Sequence, residues 1–66
     1  MKITLNGEPR DVPSGTTVRA LVEREGLGSG PVAVERNGEV VRRHDHESTI
    51  VVEDDAIEIV HFVGGG

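Results

Sequence analysis

The sequence predicts an α+β domain: a mixed sheet of about four to five strands with one helix packed across one face. Three observations carry this. Met1, Ile3 and Leu5 alternate with Lys2 and Thr4, the two-residue period of a half-buried strand. Val18, Leu21 and Val22 then fall at i, i+3 and i+4, a narrow helical stripe. Late in the chain, "AIEIVHFV" reads as the strongest strand of all.

The elements follow in order. After the first strand, Asn6-Gly7 supplies the positive φ angles of a tight two-residue turn, and Pro9 to Val12 returns. Pro9, Arg10 and Asp11 suit an exposed edge, because proline cannot donate to a neighbouring strand. Pro13, Ser14 and Gly15 break the strand, and Thr16 or Thr17 is the expected helix N-cap. Arg19 and Glu23 are spaced to pair at i, i+4 on the wet side. Gly26 suits the left-handed position after the helix, with Leu27 folding back on Val22. Gly28 to Gly30 read as a flexible link, and "PVAVERNGEVV" reads as a second hairpin turning at Asn37-Gly38. "RRHDHEST" reads as a polar connection, "IVV" as a short turn or strand closing the core, and "EDD" as a turn. In the last strand Ile57 and Ile59 should face the helix, leaving Glu58, Val60 and Phe62 on the uncovered face.

Composition limits the function. Sixty-six residues make one domain of modest stability, since so short a chain buries only about 60% of its unfolded surface. There is no cysteine, hence no disulfide and no side-chain thiol nucleophile. "MKITLNGEPR" reaches no long apolar run, so neither signal peptide nor membrane span is expected and the cytoplasm is the default location. The net charge is −5 and unevenly spread: residues 1–43 hold seven basic and six acidic side chains, residues 44–66 six acidic ones and no Lys or Arg. That second segment repels nucleic acid and favours a partner with a basic docking face. Acids that only keep a small domain soluble are the plainer alternative.

The closing "HFVGGG" raises the functional question. Residues 1–63 are expected to form the domain, and 64–66 a flexible glycine tail. Val60 and Phe62, partly exposed beside that tail, suggest a docking surface. Phe62, the single aromatic residue, could instead fold over an edge to enlarge a small core. Three extended glycines reach roughly 10 Å and pass constrictions that side chains cannot.

The order of elements, the "AIEIV" last strand and the Gly-Gly end together resemble the ubiquitin-like β-grasp sulfur carriers. Within that group the chain most resembles the carriers of thiamine biosynthesis, the ThiS family, over nearly all of its length. "GTTVRALVEREGL", "VAVERNGEVVRR", "EDDAIEIV" and "VGGG" show it best. One departure is Asp54, where that family's loop commonly has glycine. Aspartate tolerates the left-handed conformation better than most residues.

The resemblance implies a role for the tail. The Gly66 carboxylate would be adenylated with ATP by a ThiF-like, ubiquitin-activating-type enzyme, then converted to a thiocarboxylate with sulfur from a donor protein. A ThiG-like thiazole synthase would receive the sulfur. Gly65 and Gly66 match the carrier motif, and Gly64, Val63, Phe62, Val60 and Glu58 would meet the partner. The chain would be a co-substrate with no bound cofactor, monomeric when free. The rival readings are a carrier of another pathway, like the small subunit of molybdopterin synthase, and a ubiquitin-like binding module whose tail is never activated.

Other groups carry less. His44-Asp45-His46 has two of the residue types a metal needs, but lies in a predicted loop with no clear third ligand. His61 reads as an edge side chain near the tail. Asp54, Asp55 and Glu58 read as turn residues and a partner-facing patch, since no base accompanies them. Gly28-Ser29-Gly30 lacks the lysine of a phosphate-binding loop.

Overall fold

The computed structural model describes residues 1–27 and 30–62. Gly28 and Ser29 of the expected link, and Val63, Gly64, Gly65 and Gly66 of the expected tail, lie outside the described residues. Five strands form one mixed sheet, ordered β2-β1-β5-β3-β4. They are β1 (Lys2–Leu5), β2 (Glu8–Asp11), β3 (Val32–Arg36), β4 (Glu39–Val41) and β5 (Ala56–His61). Helix α1 (Val18–Arg24) lies between β2 and β3 in sequence.

Both hairpin turns form as their Asn-Gly pairs predict. Asn6 and Gly7 have φ of 51° and 82°, Asn37 and Gly38 of 53° and 86°, the twist that matches flanking strands. The helix ends follow their signals too. Thr17 accepts the Ala20 N–H at 3.0 Å, the N-cap bond. At the other end Gly26 takes φ 75°, the Gly26 N–H reaches the Glu23 carbonyl at 3.0 Å and the Leu27 N–H reaches Val22 at 3.1 Å. This pair of bonds closes the last turn and leaves Leu27 half-buried against the core.

The core is one cluster between sheet and helix, built on Ile3 and Leu5 from β1, Val34 from β3, and Ile57 and Ile59 from β5. Val18, Leu21 and Val22 come down from α1, and Val12 and Val51 close the ends. Each large aliphatic side chain so buried contributes about 1.5–3 kcal/mol. Val51 is thus how "IVV" closes the core, while Ile50 makes only an isolated bridge to Thr17.

The polar connection is more ordered than a solvated loop. Arg43–Asp45 form a turn of 3-10 helix, and His46 behind it is buried. The reason lies in the short helix. Its first N–H groups have no partner within α1. Val18 N–H finds the Thr49 carbonyl at 2.8 Å, and Arg19 N–H the His46 carbonyl at 2.9 Å. Capping a helix start against this turn holds residues 46–49 in place. The His46 ring also bonds: Nε2 carries the hydrogen and donates to the Val41 carbonyl at 3.0 Å.

Candidate functional site

The candidate site is the uncovered face of β5 and the strand's way out toward residue 63. Ile57 and Ile59 point into the core, while Glu58, Val60 and Phe62 are exposed, as the alternation predicts. Val60 and Phe62 remain 54% and 53% exposed. Phe62 therefore does not fold over into the core. His61 takes the opposite side from Val60 and packs on Gly30, where an added Cβ would lie 2.8 Å from its Nε2.

The strand carrying these residues is held on both sides. Against β3 the antiparallel register runs Val32↔His61, Ala33↔Val60, Val34↔Ile59, Glu35↔Glu58 and Arg36↔Ile57. Beyond it the Phe62 N–H reaches the Pro31 carbonyl at 3.1 Å, so the backbone is fixed up to the last described residue. Against β1 the parallel pairing covers only Thr4↔Ala56 and Leu5↔Ile57. Asn6 extends it, while Asn37 prolongs the β3 ladder on the other side of the strand. Asn6 Oδ1 accepts the Ile59 N–H at 2.9 Å, and Asn6 Nδ2 donates to the Ile59 carbonyl at 3.3 Å. Asn37 Oδ1 accepts the Ala56 N–H at 2.9 Å, and Asn37 Nδ2 donates to Asp55 at 3.0 Å. Reading these asparagines as turn formers missed that second role; their amides stand in for ladder bonds that β5 otherwise lacks.

The acids of the last segment divide. Asp55 is buried rather than partner-facing: its carboxylate pairs with Arg36 Nε at 3.1 Å and accepts the Val52 N–H at 2.8 Å and the Asn37 amide. Burying a carboxylate is tolerable only when its oxygens are satisfied in this way. Asp54 is exposed at φ 69°, the left-handed conformation that aspartate tolerates better than most residues. Glu47 pairs with Arg19 at 3.1 Å, and both Glu53 oxygens lie 3.3 Å from the Lys2 N–H. Of the six acids after residue 43, Glu58 is the one on the uncovered face of β5.

An open depression of about 440 Å³ lies between the β3–β4 hairpin and the 3-10 turn, lined by Arg36, Glu39, Arg42 and Asp45 among others. It mixes signs of charge and brings together no nucleophile with a base. Among the described residues His44 pairs with Asp45 alone, at 3.6 Å, while the His46 ring is turned inward to Val41. No helix among the described residues is long and apolar enough to cross a membrane.

Comparison with known proteins gives this geometry a family. A crystal structure of a thiamine biosynthesis protein (ThiS) from Geobacter metallireducens superposes with a TM-score of 0.83 at 36% identity, covering all of both chains. The arrangement of five-stranded sheet and single helix is thus the ubiquitin-like β-grasp. Among curated proteins, a thiazole synthase of Magnetococcus marinus is 50% identical over 66 residues, and one of Paramagnetospirillum magneticum is 44% identical. This chain spans 20% of the length of each of those two relatives. Sulfur carrier protein ThiS of Bacillus subtilis is 37% identical over 65 residues, which cover 97% of this chain and 98% of that one. With the ThiS family model matching residues 3–66, the chain belongs to the ThiS family.

Proposed function

We propose that this protein is a sulfur carrier of thiamine biosynthesis that works through the carboxyl group of Gly66. One observation carries the reading: the family match runs from residue 3 through Gly66, so it includes the glycine tail as well as the fold. A relative of nearly equal length is named a sulfur carrier protein. The protein acts as a co-substrate, and its folded body presents the tail to enzymes that do the chemistry.

The chemistry at Gly66 is acyl activation followed by substitution. A carboxylate is a poor acceptor for a sulfur nucleophile. An activating enzyme of the ThiF type first lets a Gly66 oxygen attack the α-phosphorus of ATP, releasing pyrophosphate. The resulting mixed anhydride has AMP as leaving group. Hydrosulfide released by a donor protein attacks the carbonyl carbon, the bond to AMP breaks with its electron pair leaving on the phosphate oxygen, and loss of a proton gives the thiocarboxylate. The requirement is a free carboxyl: in a longer chain the same carbonyl would be an amide, and cleavage after Gly66 would have to precede activation.

Each residue on the site then has a task. Gly64, Gly65 and Gly66 carry no Cβ, so they fit a narrow channel to the reacting phosphorus and carbonyl. Ordering them there costs conformational entropy. Affinity must therefore come from the body, where Glu58, Val60, Phe62 and Val63 precede the tail. The receiving enzyme is a thiazole synthase, as the names of the two longer relatives suggest.

Intact-mass measurement after incubation with ATP, the activating enzyme and a sulfur source tests this reading. A gain equal to replacing one oxygen by sulfur, located on Gly66, is the expected result. An unmodified chain, with the same enzyme preparation active on another carrier, would overturn it. Deleting Gly66 separates a carrier from a ubiquitin-like binding module: the carrier stays folded and loses all transfer.

A further inference from the structure

Glu58 faces another glutamate. Its direct partner in the β3–β5 register is Glu35, from the half of the sequence whose charges nearly cancel. Directly opposed residues in an antiparallel pair hold their Cβ atoms about 4.5–5.5 Å apart. Both side chains are exposed on the uncovered face, and among the described residues neither forms a salt bridge. Lys2, the basic residue on the same face of β1, lies two residues before Thr4, and Thr4 is already level with Ala56. Like charges so placed destabilise the free sheet. The acidic pair gives the isolated domain nothing.

Apolar side chains border it on two sides. Val40 stands opposite Glu35 on the other side and is 70% exposed. Val60 follows Glu58 along β5, with the small Ala33 opposite it, and Phe62 comes next. The face therefore offers two adjacent carboxylates bordered by exposed Val40 on the β4 side and by Val60 and Phe62 along β5. A second copy of the chain does not suit it, because a two-fold contact would bring four carboxylates together. A planar guanidinium does, since it presents several N–H donors to carboxylate oxygens at once.

We propose that the uncovered sheet face is the docking surface for a protein that inserts an arginine between Glu35 and Glu58 and lays apolar side chains on Val40, Val60 and Phe62. This rests on the carrier reading and adds the chemistry of the partner: a basic anchor in an apolar surround, on whichever enzyme handles the tail. Glu35 and Val40 thereby join the site, though they lie on strands remote in sequence from the tail.

The test measures binding of the full chain to the purified activating enzyme and to the thiazole synthase of the same organism, by calorimetry at low and high salt. Glu35→Gln and Glu58→Gln should each weaken binding to at least one of the two by about tenfold or more, with the loss shrinking at high salt. The double variant should lose little beyond either single one, because both carboxylates serve one cation. The melting temperature of each free variant should rise as the repulsion is removed. Asp11→Asn, on edge strand β2, should bind as the wild type does. Unchanged affinity of the glutamine variants for both enzymes would overturn the proposal. So would weakening that follows a drop in melting temperature, a wild type that binds neither enzyme, or a dimer strengthened by either glutamine. The mass gain on Gly66, measured alongside, keeps the two readings apart. Sulfur loading with unchanged glutamine variants removes only the arginine anchor; binding through both glutamates without loading removes only the carrier chemistry.

Discussion

Asp55 and Asn6 show how much single side chains contribute to presenting the site. Asp55 is buried with an arginine, an amide and a backbone N–H on its two oxygens. Replacing it by alanine leaves those three donors without their acceptor and Arg36 without its counter-charge. Asp55→Ala should cost about 2–3 kcal/mol, read as a lower urea midpoint at unchanged slope. Asn6 combines a left-handed turn conformation with a two-bond clamp on Ile59. Asn6→Gly keeps the turn and removes only the clamp, so its effect isolates the amide. A loss of about 1–2 kcal/mol is expected, together with faster hydrogen exchange at the Ile59 N–H. Exchange unchanged at Ile59 would show that β5 holds without the amide.

At the scale of elements, the seven-residue helix is too short to stand alone. Its ends are therefore where its stability is decided. Thr17→Ala removes the cap on Ala20 and should cost about 1 kcal/mol of unfolding free energy. Gly26→Ala, at φ 75°, should cost a similar ~1 kcal/mol although the added Cβ meets nothing within 4 Å. The penalty there is backbone conformation, not crowding. Sheet pairing obeys the same economy. The β1–β5 pairing is brief and Asn6 prolongs it to Ile59, while Asn37 carries the β3 ladder one residue further to Ala56. The helix start in turn organises residues 46–49, which bury His46.

For the whole molecule, the division of labour between a rigid body and a slender tail yields two further expectations. Joining one residue to Gly66 turns its carboxyl into an amide and should abolish sulfur loading, with melting unchanged; normal loading of an unprocessed extended chain would sink the mechanism. Val60→Asp and Phe62→Asp should weaken binding to the activating enzyme about tenfold or more without loss of fold, since both side chains are half-exposed and outside the core. Affinity equal to the wild type would take β5 out of the interface.

Much of this was legible in the residues. The turn pairs, the helix caps, the inward Ile57 and Ile59 and the outward Val60 and Phe62 follow from local sterics and from periods of 2.0 and 3.6, which need only neighbours in the chain. The family was legible by a different route, as a resemblance of motifs spread over nearly the whole chain. The tertiary structure alone decided the rest. It turned Asp55 inward to Arg36, buried His46 under the helix start, used two turn asparagines as clamps on β5, and set Glu35 beside Glu58. Those outcomes depend on strand order and register, which join segments far apart in sequence. No local pattern reports whether an acid will meet a cation, an amide or another acid.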